Sequence, residues 1–140
     1  MGTWSHEPFG NDIASDWAYE FEENDGYEVI EDAFDQIIDM ATEEFIDADI
    51  GCIAHAAAEV LAKSFTDGVA ENEYYPEPVE KWLQHNQHKH NYELIPKALL
   101  ALNLLISENS ELDELWQDSD DYEDWTKNIA ELKETLKSKV

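Results

Sequence analysis

The chain of 140 residues carries 34 Asp and Glu against 8 cations, all of them lysine, and its formal charge is -26. That balance excludes a nucleic-acid binder, because the counterion release that drives phosphate contacts needs clustered Lys or Arg. A hydrophobic content of 43% with 11% aromatic residues excludes wholesale disorder and is enough for one independent domain over residues 1–140.

Residues 1–10 lack periodicity and read as an N-terminal arm, with Trp4 and Phe9 expected to fold back as anchors. Asn11 or Asp12 caps a first helix that runs to about Glu23, with Ile13, Trp17 and Phe21 four residues apart on one face. Asn24, Asp25 and Gly26 end it. A second helix from Tyr27 carries Ile30, Ala33, Phe34, Ile37, Ile38 and Ala41 in an amphipathic repeat. After the stretch Glu43 to Ala48, Asp49 is the expected N-cap of a third, alanine-rich helix whose apolar set runs from Ile50 to Phe65.

Asp67 and Gly68 stop that helix, and a long non-periodic connection reaches Pro76 and Pro78. A short fourth helix covers Val79 to His85, and the polar run to Asn91 reads as loop. Pro96 suits the first turn of a fifth helix through Leu99, Leu102, Leu105 and Ile106. Ser110 with Asp113 resembles a capping box that opens a sixth helix through Trp116. Asp118, Ser119 or Asp120 is expected to cap a seventh, striped by Tyr122, Trp125, Ile129, Leu132 and Leu136. No segment alternates with period two for long enough to demand a strand. The expectation is an all-α, compact single-domain bundle of six or seven helices, with Trp17, Phe34, Ile37, Leu61, Leu102, Trp116 and Trp125 in one core.

The longest apolar run, Ala98 to Leu102, is far short of a membrane span or a signal-peptide core, so a cytoplasmic location is expected. The single cysteine, Cys52, excludes an intramolecular disulfide framework and a Cys-rich zinc site.

Several residues resemble a small acidic bacterial family classed as a domain of unknown function, four-two-five-nine. They are Met1-Gly2-Thr3-Trp4, Phe9, Asn11-Asp12, Ala14 and Asp16-Trp17, then Ala56-Ala57-Ala58-Glu59, Pro78 with Trp82, Asn109-Ser110-Glu111-Leu112, Leu115-Trp116, Asp121-Tyr122 and Trp125. Their order and spacing extend over nearly the whole chain. Ser5 stands where the family usually has Gly. The resemblance implies an all-helical single domain and no established activity.

Motifs that would carry catalysis or a cofactor fail on inspection. His85, His88 and His90 form H-x-x-H-x-H, which matches no established zinc signature and sits in the most polar stretch, although it is where a metal-assisted hydrolase would be built. A calcium loop counted from Asp47 would put Cys52 at its glycine position, and one counted from Asp118 would put Glu123 there, so both fail. Cys52 lies three residues before His55, yet no oriented base or charge stabiliser accompanies them, and a buried core thiol is the simpler account. Myristoylation of Gly2 wants Ser or Thr where the chain has His6. The expectation is a protein that is not an enzyme, with no catalytic residues, no metal site and no cofactor.

The charge is strongly polarised. Residues 1–62 carry 17 acids and no Lys or Arg, whereas residues 63–140 carry 17 acids with all 8 lysines. Asp12, Asp16, Glu20 and Glu23 stripe the first helix, and Glu28, Asp32, Asp35, Asp39 and Glu43 stripe the second, with no lysine nearby in sequence. Such stripes serve as solvated faces, or as an adaptation to high salt, or as a surface for a basic partner. The third use is the expected one here: a bacterial immunity protein that neutralises a basic, nuclease-type toxin. The expected contact residues are Asp12, Asp16, Glu20, Asp32, Asp35, Asp39 and Glu43, with Tyr19 or Tyr27 as aromatic anchors.

Overall fold

The computed structural model describes residues 12–22, 26–43, 45–65, 76–85 and 91–139. These hold seven α-helices and two short 3-10 helices: α1 (Asp12–Trp17) continued by the 3-10 helix Ala18–Glu22, α2 (Gly26–Ala41), α3 (Ala48–Ser64), α4 (Glu77–His85), the 3-10 helix Tyr92–Leu94 leading into α5 (Ile95–Leu105), α6 (Glu111–Gln117) and α7 (Tyr122–Lys137). No strand forms among the described residues, and the all-α expectation holds. The arm at residues 1–10, with Trp4 and Phe9, lies outside them, as do Asn11 and Glu23.

Helix α3 is the axis of the packing, in contact with α1, α2, α4, α5, α6 and α7. Its composition makes this possible. Ala54, Ala56, Ala57, Ala58 and Ala62 are all buried, and small side chains let neighbouring backbones approach from several directions. Gly51 takes this furthest, because a Cβ there would lie 3.2 Å from Leu112 Cδ2 and 3.3 Å from Leu105 Cδ2. The amphipathic repeat of the sequence marks one face of α3, but burial extends beyond it to Cys52, His55, Val60 and Ser64, while Asp49 is exposed and Ile50, Ile53, Glu59 and Lys63 are half-buried.

The remaining helices each bury one stripe against this centre. On α2 it is Val29, Ile30, Ala33, Phe34 and Ile37, and on α7 it is Trp125, Ile129, Leu132 and Leu136, spaced four, three and four residues apart. All seven residues expected in the core are buried, and they belong to one cluster. The first helix departs from its expected form at Ala18, where the winding tightens to 3-10. Three residues per turn brings Ala18 and Phe21 onto one line, both buried, and sets the Phe21 ring edge-on to Trp17 at 5.2 Å.

Several helix starts differ from expectation. Asp47, not Asp49, caps α3, and its carboxylate accepts from the Asp49 N–H at 2.8 Å. The segment before it is ordered by Ile46, which is fully buried and forms an isolated parallel bridge with Ser110. Ile46 N–H donates to Asn109 O at 2.8 Å, and Glu111 N–H donates to Ile46 O at 2.9 Å. Glu111 completes the cap of α3 by accepting from Ala48 N–H at 2.9 Å. Helix α4 starts two residues before Val79, at Glu77, with Pro78 in its first turn. Ser110 caps α6, its Oγ accepting from Asp113 N–H at 3.2 Å, but the reciprocal half of the capping box does not form: Ser110 N–H donates to Ser107 O, and the Asp113 carboxylate turns to Gln117 and Tyr122. Helix α7 follows Asp121 without a side-chain cap bond, and Ser119 Oγ instead accepts from Asp121 N–H at 3.2 Å to shape the turn.

Candidate partner-binding face

On α1, Ala14 and Trp17 turn inward, which leaves Asp12 and Asp16 exposed. Glu20 is exposed on the following 3-10 helix, and Tyr19 beside it is 58% exposed. That 3-10 helix touches both α2 and α4. On α2 the buried stripe sends Glu28, Asp32 and Asp39 to solvent, and Glu43 is exposed in the turn that follows, its N–H donating to Met40 O at 2.9 Å. The structure therefore places the acidic residues on two elements that both pack on α3 and join through the 3-10 helix.

Two of the expected contact residues sit in a different setting. Asp35 is half-buried, and with Glu31 it grips Lys97 of α5: the Lys97 Nζ lies 2.8 Å from Asp35 Oδ1 and 3.0 Å from Glu31 Oε2. The stripe without a lysine in its own helix is thus partly neutralised across the helix pair. Hydrogen bonds to Asp35 and then Glu31 hold the Lys97 ammonium above its ordinary pKa. Tyr27 is half-buried and stands edge-on to Trp82 at 5.0 Å, and Trp82 lies against Phe21 at 5.3 Å. Tyr27 is a member of an aromatic cluster that joins α2 and α4 to the 3-10 helix, whereas Tyr19 presents most of its ring to solvent.

His55, Cys52 and His85 each have a structural setting. His55 is 3% exposed, with Nε2 2.6 Å from Asn128 Oδ1 and its ring edge-on to Trp125. The Cys52 thiol is pushed up to about 12, first by burial and then by the negative charges of Asp49 and Asp47, the opposite of activation. The His85 Nδ1 lies 2.7 Å from Lys81 O, and His88 and His90 fall outside the described residues. Among the described residues no group of three or more His, Cys, Asp or Glu is placed to hold a metal. A cleft of about 220 Å³ between α3 and α7 includes Glu59, Lys63, Asn128 and Glu131, and one of about 440 Å³ beside α4 includes Phe21, Lys81 and Trp82.

Sequence reasoning missed the buried carboxylate of Asp113, which is 6% exposed and accepts from Gln117 Nε2 at 2.7 Å and Tyr122 O–H at 2.8 Å. The capping-box pattern would send this carboxylate back to the Ser110 N–H instead. Its spacing from Gln117, four residues along one helix, is the signal in the sequence for the contact it makes.

These features define an all-α protein in which acid-bearing helices surround a single alanine-rich one, and none of its described helices is long and apolar enough to cross a membrane. The chain belongs to the family described as Domain of unknown function (DUF4259), whose model matches residues 2–128. No curated protein and no solved structure matches it.

Proposed function

We propose that this chain is a non-catalytic, cytoplasmic binding protein for a basic protein, and specifically a bacterial immunity protein that neutralises a nuclease-type toxin. The observation that supports it is the exposed row Glu28, Asp32, Asp39 and Glu43 on the cation-free half of the chain. Like charges one turn apart cost about 0.2–0.5 kcal/mol per pair. On α2 the pair Glu31 and Asp35 is relieved by Lys97, and the exposed row is left for an outside cation.

Carboxylates four residues apart rise about 6 Å along a helix, whereas duplex DNA presents a charge every ~1.7 Å. The row therefore suits a groove lined by Lys and Arg better than it copies a nucleic acid. Complementary fields of this kind raise association rates and select partners, which an antagonist of a toxin requires.

The test is co-expression with the product of the adjacent gene, followed by pull-down and a protection assay. Capture of a basic toxin, weakened at least tenfold by reversing Asp32, Asp39 and Glu43 to Lys, is the expected outcome. Capture and salt dependence unchanged by the triple reversal would refute the acidic-face mechanism. Asp35 is left out of the reversal because a lysine there would face Lys97.

A further inference from the structure

The geometry points to a second, apolar component of the partner site: Phe45 and Leu115, flanking the Ile46–Ser110 bridge, form an anchor for a basic protein that carries an apolar ridge. This inference rests on the proposal that the chain binds a basic partner. Phe45 is 51% exposed and Leu115 is 53% exposed. In extended backbone, neighbouring side chains point to opposite sides, so burying Ile46 turns Phe45 outward. Glu111 touches the same bridge through its N–H and the start of α3 through its carboxylate, and Leu115 follows it by one turn on that face of α6.

On its C-terminal side Phe45 is followed by Ile46, held in the bridge to Ser110, and by Asp47, which caps α3. An exposed aromatic ring beside such paired backbone has the character of an interface anchor. Tyr27, by contrast, is already packed on Trp82.

Charge identifies the occupant. Residues 39–62 and 98–126, the stretches of sequence that hold Phe45 and Leu115, contain no Lys or Arg. Asp39, Glu43, Asp49, Glu108 and Glu114 are exposed on them. A second copy of the chain would bring its own charge of -26 to the contact, and an anionic lipid surface would be repelled for the same reason. A protein with lysines or arginines around an apolar ridge meets both the ring and its surroundings.

The probes are an amphipathic Lys/Leu helical peptide and a Lys/Ser peptide of equal charge, titrated into the whole protein by calorimetry and by amide chemical-shift mapping. The Lys/Leu peptide is expected to bind about tenfold tighter, with shifts centred on residues 45–47 and 111–116. Phe45→Ser with Leu115→Ser should abolish that advantage while Lys/Ser binding and the helical circular dichroism stay unchanged. Asp32→Lys with Asp39→Lys should weaken both peptides and preserve their ratio. An advantage that survives the serine substitutions, shifts centred on Tyr19, self-association of the free protein, or loss of helix in the serine variant would each overturn the anchor. Failure of both peptides to bind would overturn the basic-partner reading itself, and the anchor with it.

Discussion

Lys97 of α5 and Asp35 of α2 are 62 residues apart in sequence and 2.8 Å apart in space. The ion pair is half-exposed and bridges the two helices, with Glu31 as its third member. Lys97→Gln should lower the thermal midpoint at low ionic strength, because two carboxylates one turn apart lose their common cation. The difference from the parent protein should shrink in salt near 0.5 M, as expected of a screened surface contact. The raised pKa of Lys97 sets the alkaline window. Its contribution is complete below the ordinary value of 10.5 and is lost as pH rises above it. Thermal melts of both proteins from pH 7 upward should therefore run parallel and converge only above 10.5. Early convergence would contradict the assignment.

The carboxylate of Asp113 is buried without a cation among the described residues and accepts hydrogen bonds from Tyr122 and Gln117. Tyr122→Phe should cost about 1–3 kcal/mol in denaturant unfolding, the usual effect of depriving a buried acceptor of a partner. The hydrogen bond to Asp113, aided by burial, raises the Tyr122 pKa above its ordinary 10.0. The stabilisation should be complete below that pH and fade above it. A cost that persists undiminished well above pH 10 would point to packing rather than the hydrogen bond.

Cys52 should resist thiol reagents at pH 8 in the folded protein, since burial pushes its thiol up to about 12. Labelling should become fast once denaturant unfolds the chain. Rapid modification under native conditions would show that α3 is less enclosed than its burial implies.

The core offers two contrasting substitutions. Phe34→Ala removes a fully buried ring and should cost about 3–5 kcal/mol. Gly51→Ala improves helix propensity by about 1 kcal/mol but forces a methyl toward Leu105 and Leu112, where overpacking costs about 1–3 kcal/mol. A net loss near 1 kcal/mol is expected in urea unfolding. A gain in stability would mean that the two leucines yield freely.

The parts of the fold legible in sequence are those with a local cause. The apolar repeat from Ile30 to Ala41 placed α2 almost to the residue, and Ser110 with Asp113 placed the start of α6. The choice of Asp47 over Asp49 was not legible. Both can cap, and the decision falls to the extended backbone at Asp47, with ψ of 138°, which the buried Ile46 brings with it. The acidic face was legible as a charge pattern, and the exposure of Asp12, Asp16, Asp32 and Asp39 follows from the apolar stripes opposite them. The pairing of Asp35 with Lys97, the packing of Tyr27 on Trp82 and the exposure of Phe45 depend on which helices become neighbours, and no periodicity within one segment encodes that.

The cap that Glu111 supplies to Ala48 also orders events in time. The two residues are 63 positions apart, so at roughly 5–20 residues per second a ribosome needs about 3–13 s after making Ala48 to deliver its cap. Ile46 lacks its strand-like partner at Ser110 throughout that interval, and until Lys97 and α5 are made the cation-free first half has no cation to relieve Asp35 and Glu31. The N-terminal end of α3 therefore takes its final form only once the start of α6 has been made, although α1 and α2 pack on α3 without it.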